Sequence, residues 1–533
     1  MDPALALEAA EMARHRMVNE TIARGDSRIQ QFYSGAVIFI TGGSGFLGKQ
    51  LIEKLFRSCN IERVYMLLRP KKKKTIEERM KQIIEDPVYE QLRKMQSNYS
   101  EKIIPVLGDI TEVGLGISKE DWKTITEEVT VIFHGAATIN FVEPIKVATL
   151  TNVRGTREML LLGKACKKLK SYVHISTAYA HATYQRIKQP VLEQFYEAPI
   201  APDTLISLAE SFESEKLDAM TPNLIKNWPN TYAFTKAVAE ELVRTMSGDL
   251  PICIVRPAIV ISACREPSPG WIDKSCAFGP TGFILGAGIG IMHTCYCDED
   301  IHLDLIPVDL VNNATIAAAH QTVVRRERGD SDIKIYTVTG TRNPMIFGHM
   351  RRIMDYDARY LGTDKSVWYN FSFNTNNEFI FYTLTWLFHY IPGYLVDFVL
   401  RIMGKRPMLI RLFEKVYKLN SVLGYFMTND WKFGDSNLVD MYWSLSPADR
   451  IIYDCNLATI DWKKYILLWT LGARKYIVKD GINKTAYAMK KQFWLKILNF
   501  IVLPLYFYSL FKIIFFAVSI VFYSLYSVYS WFI

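Results

Sequence analysis

At 533 residues the chain is several times the size of a common domain, which excludes a single small binding module. Half of it is hydrophobic, 13% is aromatic and only 22% is charged, so a disordered chain is excluded and contact with a membrane is expected. The net charge of +9 suits an anionic ligand or a lipid surface, and it is too diffuse to argue for nucleic acid.

Residues 1–34 read as a polar extension: Met1 to Arg28 is studded with Glu, Arg and Asp and has no apolar run of signal-peptide length. The eight cysteines show no paired spacing, so a reducing compartment is expected, with the catalytic part facing the cytosol. From Gly35 the run Gly-Ala-Val-Ile-Phe-Ile has the continuous apolarity of a parallel strand buried on both faces. Thr41, Gly42, Gly43, Ser44, Gly45, Phe46, Leu47 and Gly48 follow it, and then a helical pattern over 49–58. Strand, glycine turn and helix in this order seat a pyrophosphate on a helix N-terminus. Gly42 allows the turn, Gly45 admits the phosphate, and Gly48 lets the helix pack closely. The G-x-x-G-x-x-G spacing resembles that of extended short-chain dehydrogenases/reductases.

A second strand over 63–68 ends at Arg69, ahead of Pro70 and the run Lys71 to Lys74. Enzymes that use NAD usually place a carboxylate here for the ribose hydroxyl, whereas basic residues suit a 2′-phosphate, so NADPH is the expected cofactor with Arg69 as a contact. For the lysine run, a solvated charge cluster is the alternative. Further apolar runs at 102–107, 129–133, 171–175 and 252–255 alternate with helix-length segments and complete a doubly wound Rossmann-type α/β pattern. At the strand ends, Asp109 is expected near the adenine, with a turn-forming aspartate as the alternative, and Ala136 beside the nicotinamide half.

Tyr232 and Lys236 stand four apart in a segment opening at Pro229 and running as a helix to Met246, so both project from one face. A phenol with an adjacent ammonium suits carbonyl reduction: the phenol donates a proton to the developing alkoxide, and the ammonium is expected to lower its pKa. Ser176 and Thr177, at the end of the 171–175 strand, supply hydroxyls for the carbonyl oxygen. Because successive strand residues face opposite ways, one of the two is expected to reach it, Thr177 ahead of Ser176. His174 reads as a packed strand histidine. The spacing of His293, Cys295, Cys297 and His302 matches no common zinc pattern, and no metal is expected.

Ile335 to Thr339 is the expected last strand of a reductase domain over 35–340. A mainly helical domain over 341–490 follows, whose Trp368, Phe371, Phe373, Trp386 and Phe388 would line an acyl tunnel or pack a core. The uncharged stretch 379–396 is interrupted by His389, Pro392 and Gly393, which fits an interfacial hairpin, a gate or a buried helix pair better than a straight span. Residues 494–533 form a membrane anchor segment. Ile513 to Ile533 carries no charge and is long enough to cross a bilayer, as one long helix with 497–511 or as a separate span after it. Lysines from Lys475 to Lys496 place its start on the cytosolic side.

Taken together, Thr41 to Gly48, Leu67-Leu-Arg-Pro70, Val173 to Tyr179, Tyr232 to Lys236, Val255-Arg-Pro257, Pro269 to Asp273, Asp430 to Phe433, Leu445-Ser-Pro447, Asp461-Trp462 and Arg474-Lys-Tyr476 resemble the alcohol-forming fatty acyl-CoA reductases. These are male-sterility-related members of the extended reductases. The resemblance runs from about Val37 to Tyr476 and implies reduction of a long-chain acyl-CoA by two NADPH. An aldehyde stays bound, CoA is released and a fatty alcohol is formed. It further implies that Thr177 and Tyr232 stabilise the oxyanion, that Tyr232 protonates the alkoxide and that Lys236 holds the ribose. It ranks the endoplasmic reticulum ahead of the peroxisome, and leaves homo-oligomer formation, chain length and saturation open. A sterol or hydroxysteroid dehydrogenase, or an inactive NADPH-binding membrane scaffold, are the competing readings.

Overall fold

The computed structural model describes residues 3–531 apart from 14, 71–73 and 278. Seven strands form the central sheet: β1 (Val37–Thr41), β2 (Arg63–Leu68), β3 (Ile103–Leu107), β4 (Val131–His134), β5 (Ser171–Ile175), β6 (Ile252–Pro257) and β7 (Ile335–Val338). Their order is β7-β6-β5-β4-β1-β2-β3, and every pairing is parallel. The order turns between β1 and β4, which opens a crevice at the strand ends where open α/β sheets bind ligands. Side chains alternate between two cores: Ile38, Ile40, Val64 and Met66 enter one, while Phe39, Tyr65 and Ile132 enter the other. Both faces are therefore dry, as the unbroken apolar runs require.

Helices α1 (Phe46–Ser58), α2 (Thr231–Met246) and α3 (Val308–Glu327) cover the sheet. Leu51 and Leu55 of α1 and Val311 of α3 belong to the first core, whereas Phe234, Val238 and Leu242 of α2 belong to the second. Helices on both faces make the sheet doubly wound. Beyond β7 come α4 (Glu378–Ile402), which contains a π-helical turn at Trp386–Tyr390, then α5 (Leu409–Met427), α6 (Trp462–Gly472) and α7 (Thr485–Trp531).

The change of composition near residue 341 does not coincide with a gap in packing. Short strands pair across it: Pro190–Val191 with Lys432–Phe433, Thr294–Tyr296 with Phe373–Thr375, and His302–Leu303 with Met345–Ile346. Trp431, Tyr453, Tyr465 and Trp469 lie in the same core as β1 and β2. The N-terminal segment is likewise folded onto the body, with Ile29 and Tyr33 fully buried and Ser27 donating to Asp449.

α7 is one unbroken helix of 47 residues, about 70 Å long. It has the form of the single long helix and not of two separate segments. Its first half packs on the body: Trp368 Nε1 donates to Asn499 Oδ1 at 2.8 Å and Tyr506 Oη to the Leu387 carbonyl at 2.7 Å. Every residue from Phe511 to Trp531 is exposed. That free stretch of roughly 30 Å equals the thickness of a bilayer's hydrocarbon core.

Candidate active site

The turn between β1 and α1 is shaped by backbone proximity. Gly42 has φ of +78°, and a Cβ there would stand 2.8 Å from the Ala136 nitrogen on the β4 loop. A Cβ on Gly48 would stand 2.3 Å from the Gly42 carbonyl oxygen. Side chains at either position would fill the cradle. Gly45 caps α1 without a side-chain hydrogen bond, so the positive end of the helix is open to an anion. Thr41 Oγ1 lies 2.8 Å from His134 Nδ1 and accepts from the Ala136 amide at 3.2 Å, tying the ends of β1 and β4 together beneath the crevice. The Gly45 amide donates to the Gly42 carbonyl at 2.9 Å and closes the turn, and the α1 N-terminus beyond it fits a pyrophosphate.

At the end of β2, Arg69 is largely exposed, with its Nε 4.0 Å from Asp109 Oδ2. Asp109 is a turn former: its Oδ1 accepts from the amide and the hydroxyl of Thr111 at 3.0 and 2.9 Å. Its second oxygen is turned to Arg69. A residue the sequence reading missed is Arg79, whose guanidinium donates to the Arg69 carbonyl; burial and the neighbouring Arg69 charge lower its pKa. Helical phasing from the Thr75 cap would have brought Arg79 back toward Arg69. Lys71 to Lys73 lie outside the described residues, and Lys74 donates to Gln82 at 2.8 Å.

α2 starts where expected because Asn230 accepts from the Ala233 amide at 2.8 Å and caps it. This cap delivers Tyr232 and Lys236 to the end of β5. Lys236 Nζ donates to the Ile175 carbonyl at 2.8 Å, and burial lowers its pKa to about 8 against the opposing pull of Glu240. The Tyr232 phenol behaves opposite to expectation. Burial pushes it up to about 12, opposed only by a hydrogen bond with Thr177. The physical reason is that desolvation by burial dominates the phenol, and the Lys236 ammonium is not among the groups that pull it down. At neutral pH Tyr232 therefore carries its proton.

The two candidate hydroxyls part company. Thr177 hydrogen-bonds with Tyr232 and also donates to the Pro257 carbonyl at 3.3 Å. Ser176 Oγ donates at 2.5 Å to Glu240, which is itself held by Arg256 at 2.6 and 2.9 Å and by His181 at 3.2 Å. This network is buried, and the Arg256 guanidinium keeps Glu240 far below the ordinary carboxylate range. Ser176 thus belongs to the support beneath the site, while Thr177 shares its face with the phenol. His174 is buried beside His134, ring centroids 5.3 Å apart, and burial lowers its pKa to about 3.

Phe141 stacks on Tyr232 at 5.7 Å, and Phe426 of α5 packs on both Phe141 and Tyr179. No local pattern marks these residues, because they meet only in the fold. The aromatics expected to line a tunnel form a seam at the base of α7: Phe371 on His293, Phe373 on Phe388, and Phe388 on Phe507. His293 faces the Phe371 carbonyl and His302 faces Asp430, two separate surroundings.

A phosphate cradle at the switch point of a parallel sheet, with a phenol, an ammonium and a hydroxyl at the adjoining strand end, defines a nicotinamide-dependent oxidoreductase of Rossmann type. Two family models described as male sterility protein match, an NAD-binding one over residues 40–315 and one named Sterile over residues 388–480. The chain is 34% identical to fatty acyl-CoA reductase wat of Drosophila melanogaster over 91% of this chain and 92% of that one. It is 34% identical to fatty acyl-CoA reductase 2 of Bos taurus, over 87% and 90% of the two chains. Among solved structures, the terminal R domain from the myxalamid biosynthetic pathway aligns over 83% of this chain and 91% of its own, with TM-score 0.53 and 21% identity. The chain belongs to the fatty acyl-CoA reductase family.

Proposed function

We propose that the chain converts a long-chain acyl-CoA to the fatty alcohol in two NADPH-dependent reductions, keeping the aldehyde bound between them and releasing CoA. The observation that carries this reading is the pairing of Thr177 with a protonated Tyr232 at the strand end beside the phosphate cradle. A bound nicotinamide would supply the hydride for each round. The chain's own residues do the rest. Tyr232 donates a hydrogen bond to the oxygen that gains charge, joined by Thr177 once its hydroxyl turns from the Pro257 carbonyl, and Tyr232 gives up its proton when that oxygen becomes an alcohol. Lys236 holds the ribose and supplies positive charge beneath it. Gly42 to Gly48 hold the pyrophosphate, Arg69 takes the 2′-phosphate with Arg79 behind it, and Asp109 and Ala136 border the adenine and nicotinamide ends.

α7 is read as the membrane anchor, with the body on the cytosolic side and the endoplasmic reticulum ahead of the peroxisome as its home. Membranes containing the chain should consume two NADPH per alcohol formed, measured by absorbance and gas chromatography; release of aldehyde at one NADPH per product would overturn the two-step reading. Tyr232→Phe should cut turnover about 10²- to 10⁴-fold while NADPH binding persists. Arg69→Ala should raise KM for NADPH about 10- to 100-fold and leave that for NADH unchanged. An equal effect on both cofactors would remove Arg69 from the 2′-phosphate.

A further inference from the structure

α4 has two unlike sides. Its inner side is fastened to the body: His389 Nε2 accepts from the His293 amide at 2.9 Å, and Asp397 accepts from the Met408, Leu409 and Ile410 amides at 2.9 to 3.0 Å, capping α5. Its outer side carries Tyr394, Leu395, Phe398, Val399 and Ile402 at helical spacing, with Phe398 62% and Ile402 71% exposed. An apolar stripe of this kind on a folded surface marks a contact.

Two observations say what covers it. α4 touches α7 where α7 leaves the body, through Tyr506 on the Leu387 carbonyl and Phe507 on Phe388. The helix that carries the stripe thus also carries the contact with the helix read as the anchor. The rim is cationic: Arg401, Lys405, Arg406 and Arg411 are exposed, and among the described residues none of them sits in an ion pair. A cavity of about 600 Å³ has apolar walls at Tyr394, Leu395, Phe398 and Pro407, the cations Arg401 and Arg411, and one carboxylate, Asp397, whose oxygens are taken up by the α5 amides. Apolar side chains flanked by free cations match the boundary between acyl chains and anionic headgroups.

We propose that the outer face of α4, with the α4–α5 loop, lies in the surface of an anionic leaflet as a second membrane contact beside α7. This rests on reading α7 as the anchor. α4 does not cross the bilayer: spanning would strip Asp397 from the three amides it caps and His389 from its partner, leaving polar groups unpaired in hydrocarbon.

The test uses the full chain in phosphatidylcholine vesicles containing phosphatidylserine, with Phe398, Phe516 or Val113 replaced in turn by photoreactive benzoylphenylalanine. Val113, exposed on the sheet-bearing half, is the background position. Phospholipid adducts are expected at positions 398 and 516 and not at 113. Labelling at 516 with only background at 398 would overturn the α4 contact and spare the anchor. Background at both would overturn the anchor and with it the proposal. An adduct at 398 to a second copy of the chain in place of lipid would also overturn it. Without phosphatidylserine the yield at 398 should fall severalfold while that at 516 holds; equal yields at 398 would overturn the role given to the four cations.

Discussion

Two clusters of buried charge, one on α1 and one on α2, differ in how completely they are paired. On α1, Lys54 donates to Glu266 at 2.5 Å and to the Ile452 carbonyl at 2.6 Å, and Arg57 binds Glu53 at 2.7 Å and Glu266 at 3.2 Å. Two cations meet two carboxylates, and Glu266 is held down at about 2 by Lys54 and Arg57 against its burial. On α2, Glu240 is consumed by Arg256, so Lys236 faces only a neutral carbonyl at close range and Tyr232 only a hydroxyl. The saturated cluster joins α1 to the segment around Ile452. The unsaturated one leaves hydrogen-bonding capacity unused, as the proposed reactive centre requires and a fastening made of the same residue types does not.

This contrast breaks if substitutions in the α1 cluster impair turnover directly or leave stability untouched. Glu266→Ala should destabilise the fold by about 3–5 kcal/mol, because Lys54 is left as a buried charge without its carboxylate. The double substitution Lys54→Met with Glu266→Leu should recover much of that loss, read as thermal or denaturant unfolding of the full chain. A smaller effect concerns pH. Lys236 titrates near 8 in the folded protein, so its charge is present below that pH and lost as pH rises through it. The catalytic efficiency kcat/KM should then fall above pH about 8, approaching tenfold per unit. A profile flat to pH 10 would remove the ammonium from the reaction. The smallest effect separates neighbours: Ser176→Ala should lower stability by about 1 kcal/mol and change turnover little, whereas Thr177→Ala should reduce turnover at least tenfold. Equal turnover losses would put both hydroxyls on the substrate side.

Features set by local pattern were legible before the fold was known. The seven strands follow from unbroken apolar runs, the start of α2 from the segment opening at Pro229, and the phosphate cradle from glycines at fixed offsets from β1. Features set by distant partners were not. The separation of Ser176 from Thr177 depends on Glu240, 64 residues further on, and the raised pKa of Tyr232 depends on its burial by the folded chain. The composition near residue 341 does change, but strand pairing across it depends on backbone groups that carry no side-chain signature. Likewise α7 runs through Lys512 without a break, since a lysine is a good helix former and only the surroundings decide how it is solvated.

α5 has its first turn at the cavity beside Arg411 and its last turn at Phe426, which packs on the Phe141 ring that stacks on Tyr232. Its 19 residues make a rod of about 28 Å. If the α4–α5 loop lies in a leaflet as proposed, this rod links the membrane contact to the surroundings of Tyr232, and turnover in detergent micelles should differ from turnover in a flat leaflet.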